Sequence, residues 1–437
     1  MKVYFAIFTT VCAAFFTAAN GCIVVGSMMV VINNFVCANF GIAAGSYHTI
    51  IGTQYDASAT GINYYGQLGD GTNTDQCEFS EVFSSGVVAV AAGESHSAVV
   101  TTDGSVWTSG RNLYGELGDG TWSNTKSFVQ VFSGSASDVV AGSSHTMVLD
   151  GGGNVWAVGY NIYGQLGDLS TTSTRYFVKV LTRTAALSAG KFHSIALKKD
   201  GTVWATGRNK HGQLGDGTVT DKSRWTYIMS DAKAVAAGAY HSLVLKEGGT
   251  VWSSGYNNEG QLGYRWSSSL NVYQRAFYNF YNAAMDVAAG AYHSLVMTSG
   301  GSVWTAGYNN YGQLGDGATS SRRYFKMVIS YGVEAMAAGL YHSVVIKRSG
   351  DVYATGWNKY GQLGSGSKTS TTVFVKVAST QVSEYGYNRN LMSPRGPTTT
   401  KPSVPGGFIL YILFYLRFFA CLFPFSHTQS LSATNAI

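Results

Sequence analysis

Proline is missing from the first 393 residues of the chain: all five prolines fall between Pro394 and Pro424. Such a composition shift marks a boundary, placed here near residue 380. Cysteine is scarce too. Cys12, Cys22, Cys37, Cys77 and Cys421 show no metal-ligand spacing and no disulfide framework. Charged side chains make up only 12% of the 437 residues, so the surface must be mostly Ser, Thr, Asn, Gly and Tyr. The formal net charge of +6 comes from Lys and Arg scattered singly along the sequence. Without a basic stripe of the kind that tracks phosphates, charge gives no clear nucleic-acid signal. Asn-x-Ser/Thr acceptors are absent, which excludes N-linked sugar by that route.

The two ends differ from the middle. Met1 and Lys2 precede an apolar run from Val3 to Ala19, and Thr17, Ala18 and Ala19 are small enough for cleavage nearby. Residues 1–21 are therefore expected to be a signal peptide or apolar leader, with an uncleaved anchor as the alternative. A second apolar stretch, Ile23 to Ile32, follows. Residues 381–407 read as a Ser/Thr/Pro linker. The tail, 408–437, begins with an apolar run over 408–425 that only Arg417 interrupts. Its length is near the lower limit for a membrane span, and Arg417 costs about 2.5–3.5 kcal/mol on insertion scales. This run is the candidate for membrane association. Arg395 and Lys401 precede it and no Lys or Arg follows, an orientation that would leave the body of the protein in the cytoplasm and conflicts with a signal peptide. The chain is thus expected to be secreted or membrane-associated, and cytoplasmic if the leader is not a signal.

What is abundant is Gly, with 54 residues, and Tyr, with 28. Both fit a β-rich fold with many turns. The residues also repeat. Ala-Gly-x-x-His ends at His48, His96, His145, His193, His241, His293 and His342, at intervals of 48, 49, 48, 48, 52 and 49 residues. Gly-Gln-Leu-Gly begins at Gly66, Gly164, Gly212, Gly260, Gly312 and Gly361, with Gly115-Glu116-Leu117-Gly118 as the seventh copy. Between them stands Val-Trp-x-x-Gly, with Trp107, Trp156, Trp204, Trp252 and Trp304; Tyr353 replaces the Trp in the last unit and Ser58 in the first. Runs such as Ala234–Ala237, Ser242–Lys246 and Val251–Ser254, with Phe177–Val180 taken as the fourth, suit short strands. Four strands in each of seven units predict an all-β chain, a seven-bladed β-propeller over 36–380. The closing run Phe374–Val377 is expected to latch the ring against the first blade near Val36–Ala44.

These units resemble the repeats of the regulator of chromosome condensation family, tubulin-suppressor-like members included, over about residues 36–380. The resemblance implies a seven-bladed disc that binds another protein. That family includes the chromatin-bound exchange factor for the Ran GTPase, plant ultraviolet photoreceptors and a secreted inhibitor of β-lactamase. Fold alone selects none of these functions. A non-enzymatic interaction scaffold is the expectation, and regulation of a small GTPase by nucleotide exchange is the alternative.

The repeated residues are expected to serve the repeat. Each His should make one buried hydrogen bond within its own blade, without holding a metal. Asp70, Asp119, Asp168, Asp216 and Asp316, which follow the Gly-Gln-Leu-Gly loops, should bond their own turns; Tyr264 and Ser365 at the same place speak against a shared catalytic carboxylate. No catalytic residue and no cofactor are expected. The informative positions vary while their neighbours stay fixed. Before the repeated Asn stand Ile62, Arg111, Tyr160, Arg208, Tyr256, Tyr308 and Trp357. Arg111, Tyr160, Arg208, Tyr256, Tyr308 and Trp357 form the candidate protein-binding rim, since Tyr, Trp and Arg are enriched at binding hot spots. Packing of blade against blade is the competing explanation. The longer unit from Tyr264 to Tyr281, with Trp266, Tyr273, Phe277, Tyr278 and Phe280, is a second candidate contact. The partner is an unidentified protein, and the chain is expected to be a monomer.

Overall fold

A computed structural model describes residues 22–25, 28–31, 41–264, 268–275 and 284–380. The expected leader, the linker 381–407 and the tail 408–437 lie outside the described residues. No helix long and apolar enough to cross a membrane occurs among the described residues.

The described residues form a seven-bladed β-propeller with four antiparallel strands in every blade. Blade 1 runs from Gly41–Ala44 through His48–Gly52 and Ala57–Gly61 to Gln76–Phe83. Blades 2, 3 and 4 begin at Val87–Ala92, Ala136–Ala141 and Thr184–Ala189 and end at Thr125–Phe132, Thr174–Leu181 and Lys222–Met229. Blades 5, 6 and 7 begin at Ala232–Ala237, Ala284–Ala289 and Val333–Ala338 and end at Leu270–Arg275, Arg322–Ile329 and Thr371–Ser379. A two-stranded hairpin, Cys22–Val25 with Met28–Val31, precedes blade 1 in the sequence.

Every blade is one uninterrupted stretch of chain, and this corrects two expectations. The run Phe177–Val180 belongs to the outer strand of blade 3, whereas Ala234–Ala237 and its partners build blade 5. The last run does not latch blade 1 either: Thr371–Ser379 pairs with Asp351–Gly356 of its own blade, and its one bridge outside that blade runs from Val373 to Asp316 of blade 6. Closure combines packing with hydrogen bonds between blades 7 and 1, among them the Glu78–Ser365 bridge and the bond from Gly366 N to Cys77 O. Seven apolar clusters each join two neighbouring blades, and the seventh sets Ile51 of blade 1 against Val344, Ile346, Val352, Ala354 and Leu363 of blade 7. The second strand of each blade is covered on both sides, as in the fully buried His96–Thr101, so it reads as an apolar run after its His and the hydroxyl residue that follows. Trp156, Trp204, Trp252 and Trp304 fill these interblade clusters.

Candidate functional site

The seven histidines are completely buried. Their bonds leave the blade, contrary to the expectation that each would be satisfied within it. Nε2 of His48 lies 2.9 Å from Ser97 Oγ of blade 2, His96 meets Thr146, His145 meets Ser194, and His193 meets Ser242. His241–Ser294, His293–Ser343 and His342–Thr49 complete a closed belt, the last at 3.0 Å across the junction of blades 7 and 1. Each hydroxyl donates its own proton to the carbonyl of the Gln or Glu in the preceding blade's Gly-Gln-Leu-Gly loop, as Ser97 does to Gln67 and Thr49 to Gln362. The imidazole Nε2–H must therefore be the donor, and each ring is the neutral Nε2–H tautomer. Nδ1 has no partner in any of the seven. Burial pushes the imidazolium pKa down to about 4 at His48 and, with the charge of neighbouring histidines adding to it, to about 3 at His96 and His193.

Inside this belt the Ala-Gly-x-x-His turns surround the axis. Ser46 N donates to Gly93 O at 3.1 Å and Leu340 N to Gly45 O at 3.3 Å, linking neighbouring turns. The Gly before each His has no room for a side chain. A Cβ on Gly45 would overlap Gly93 O and the His48 ring. The turns enclose an axial cavity of about 290 Å³, with Tyr47, Glu94, Lys191, Tyr292 and Tyr341 among its lining residues.

The repeated Asn holds the loop beside the cavity. Asn209 Oδ1 accepts from Leu214 N at 3.0 Å, while its Nδ2 donates to Asp216 and to Thr218 O. Asp216 in turn accepts from Thr218 N and Thr218 Oγ1. The aspartates thus serve their turns, as the sequence suggests.

This loop delivers the expected rim. The backbone N–H of Arg111, Tyr160, Arg208, Tyr256, Tyr308 and Trp357 each donates to the carbonyl of the residue before the His of its own blade, as Tyr308 does to Tyr292 at 2.8 Å. All six are half-buried and lie on one face. They do not stand apart as separate knobs. Tyr160 packs on Tyr114 and Phe192, Tyr256 on Tyr240 and Tyr292, Tyr308 on Tyr341, and Trp357 on Tyr47 and Tyr311. The arginines complete the circuit. The Arg111 guanidinium lies over Tyr65 and Tyr114, and that of Arg208 over Tyr163, Phe192 and Tyr240 at 4.8, 5.5 and 6.0 Å. The result is an aromatic–arginine collar that runs from Tyr65 round to Tyr47 and breaks at Ile62. Desolvation, and then the neighbouring phenols, raise Tyr292 to about 12 and also raise Tyr341, so these two present neutral hydroxyls.

Most of the collar lies outside the position before Asn. Two further variable positions contribute: the residue before His (Tyr47, Phe192, Tyr240, Tyr292, Tyr341) and the residue before Gly-Gln-Leu-Gly (Tyr65, Tyr114, Tyr163, His211, Tyr311, Tyr360). The same contrast between fixed and variable residues would have found them. Beneath the collar sits one buried acid. Gln165 and its equivalents accept a backbone N–H through Oε1, and Glu116 does the same for Tyr114 N through Oε2. Its other oxygen has no hydrogen bond and lies 3.9 Å from Arg111 Nε. Desolvation raises this carboxyl to about 7.

The second candidate contact dissolves in part. Tyr273 is buried at the position that Phe128, Phe177 and Phe325 occupy in other blades, packed under a loop glycine, Gly215 in its case. Trp266, Phe277, Tyr278, Phe280 and Tyr281 lie outside the described residues. Among the described residues no group of three or more His, Cys, Asp or Glu is placed to hold a metal.

Seven four-stranded blades around an axial cavity, with repeated His and Gly-Gln-Leu-Gly anchors at every blade junction, define a repeat propeller of the binding type. A family model for the RCC1-like domain matches residues 128–399, and models for the regulator of chromosome condensation (RCC1) repeat match 87–116 and 103–149. The chain belongs to this family. Solved structures share the fold. Human WBSCR16 is similar at 20% identity and a TM-score of 0.64, over 73% of this chain and 88% of that one. Prp20p from Saccharomyces cerevisiae, described with its binding to Gsp1p and histones, is similar at 20% identity and 0.66, over 75% and 86%. Yeast RCC1 (Prp20) bound by Kap60 is similar at 18% identity and 0.66, over 82% and 91%.

Proposed function

We propose that this propeller is a non-enzymatic protein-interaction disc that receives its partner on the collar face. The carrying observation is that the six variable residues, Arg111, Tyr160, Arg208, Tyr256, Tyr308 and Trp357, come together on one face with aromatic neighbours, of which Tyr47, Tyr292 and Tyr341 line the axial cavity. Rigid aromatic and arginine side chains lose little entropy when they bind and bury large areas. Repetition alone would place the same residue in every blade; here the fixed residues hold the ring while the collar differs from blade to blade. The disc acts as a monomer, displayed outside the cytoplasm, a location supported by the apolar leader 1–21. A second reading, regulation of a small GTPase, is supported by the family and by the Gsp1p binding described for Prp20p; it requires a cytoplasmic location.

The test uses the full chain carrying Tyr256→Ala, Tyr308→Ala and Trp357→Ala together. These rings also pack between blades, so Arg111→Gln with Arg208→Gln serves as a second variant. Affinity capture followed by direct titration of the captured protein should lose at least tenfold in affinity with either variant, while circular dichroism stays that of the parent. Undiminished binding by both folded variants would refute the collar as the binding face. Location is tested by N-terminal sequencing of the mature protein, and the second reading by nucleotide release from a captured GTPase.

A further inference from the structure

We infer that the outer edge of blades 2 to 4 is a second docking surface, whose occupant is an acidic peptide segment carrying apolar side chains. The surface is distinct from the collar and is carried by different residues. Its first sign is Leu169. In five blades the residue after the Asp or Ser of the loop is a glycine with positive φ: Gly71, Gly120, Gly217, Gly317 and Gly366. Blade 3 has Leu169 there, at φ 70. A leucine in the left-handed region is strained where glycine is not. The side chain gains nothing from the core in exchange, since it is 76% exposed. Its backbone N–H donates to Ser223 O, and the preceding Asp168 bridges to Arg224, so Leu169 is held against the outer strand of blade 4.

The second sign is an exposed stack on the neighbouring blade. The Arg175 guanidinium lies 5.7 Å from the Trp122 ring and 5.4 Å from the Tyr176 ring. Trp122 is 43% exposed and Tyr176 is 59% exposed. The third sign is charge. Sequence order scatters Lys and Arg singly, but the fold gathers Lys126, Arg175, Lys179 and Arg224 on the outer strands of blades 2, 3 and 4. None of the four makes a salt bridge among the described residues, whereas Lys222, Arg322, Lys326 and Lys376 all do. The nearby carboxylates are spent on their own loops: Asp119 caps Thr121, Asp168 caps Ser170, and Asp221 accepts from Asn209 N. Uncompensated cations beside exposed aromatic and aliphatic groups complement carboxylates interleaved with apolar side chains.

The probe is a fluorescein-labelled 12-residue peptide alternating Glu with Leu and Phe, titrated by anisotropy against the full-length protein. Controls are the same peptide with Gln in place of Glu, and a 20-nucleotide single-stranded DNA. The acidic peptide should bind at least tenfold tighter than the Gln peptide and weaken as salt rises. Leu169→Gly restores the residue of five other blades, so it should keep or raise the melting temperature and still lose at least fivefold in affinity. Arg175→Glu should abolish binding, and Tyr331→Ala, an exposed aromatic elsewhere, should leave it unchanged. Equal binding of the Glu and Gln peptides overturns the inference, as does indifference to Leu169→Gly. So does DNA binding that is tighter and equally sensitive to Arg175→Glu, which would make the edge a nucleic-acid surface.

Discussion

Acid should dissolve this propeller at a pH that leaves most β-folds intact, because its seven blade junctions all depend on neutral histidines. Protonation would add a proton at Nδ1, where no acceptor waits, inside a fully buried ring. The folded pKa values are pushed down to about 3 or 4, against 6.5 for the unfolded chain. With the folded value depressed, the unfolded state binds more protons below pH 6.5, and stability falls as pH drops. At pH 5.5 each histidine forfeits between about 1 and 2 kcal/mol, and seven forfeit on the order of 10 kcal/mol. Three carboxyls act the other way: burial raises Glu116 to about 7, Asp138 to about 6, and Asp286 above its ordinary value, so the folded state gains protons there as pH falls. Glu116 and Asp138 together return about 3 kcal/mol by pH 5.5. The net loss of about 7 kcal/mol compares with a total stability of about 5–15 kcal/mol for a folded domain. Urea unfolding followed by tryptophan fluorescence from pH 8 to pH 5 should show the midpoint falling steeply below pH 6.5, in one cooperative step. A midpoint unchanged between pH 7.5 and 5.5 would refute the reasoning, because it would mean the rings are already charged or reach water.

Glu116→Gln restores the residue of the other loops and removes a buried acid. Since the folded pKa is raised, the native Glu116 weakens the fold increasingly as pH rises from 4.5 to 7, and the variant should be more stable by about 3 kcal/mol at pH 8, a gain that vanishes near pH 4.5. Chemical denaturation at the two pH values checks this. Asn209→Ala leaves Leu214 N, Asp216 and Thr218 O without their buried partner, and should cost about 3 kcal/mol in the same assay. Gly238→Ala drives a Cβ into the Gly290 carbonyl and the His241 ring, both fixed by the belt, and should cost about 3 kcal/mol or prevent folding, read as loss of the native circular dichroism spectrum.

The architecture could be read from spacing alone, because a repeat that recurs in near-constant register can hide its apolar faces only on its own neighbours. Strand identity within a blade was less legible. Four-residue apolar runs look alike, so Phe177–Val180 was grouped with strands two blades away. The mode of closure was not legible at all, because the first and last runs are equally apolar and only the pairing shows that blade 7 keeps its own outer strand. Of the candidate site, the six rim residues were found because they vary between fixed neighbours. Tyr47, Tyr292 and Tyr341 obey the same rule but stand next to the His, whose invariance masks the variation beside it. Leu169 is not legible in the sequence, because a change at one glycine of a loop carries meaning only when the exposure and φ are known.

The direction of the histidine bonds, by contrast, was written in the sequence. In all seven units the residue after the His carries a hydroxyl: Thr49, Ser97, Thr146, Ser194, Ser242, Ser294 and Ser343. Successive residues of a strand point to opposite faces. A His and the hydroxyl beside it therefore cannot serve one another, and in the second strand of a propeller blade each face looks at a different neighbour. The His must bond one neighbouring blade and the hydroxyl the other. Each acceptor accordingly lies one repeat onward, from 49 to 53 residues away within the chain, and 293 residues away where His342 reaches back to Thr49. A bond within the blade, the simpler assumption, would have needed the two groups on one face. The dipeptide thus encodes a ring and not merely a repeat: seven such pairs satisfy every Nε2–H only when the last blade meets the first.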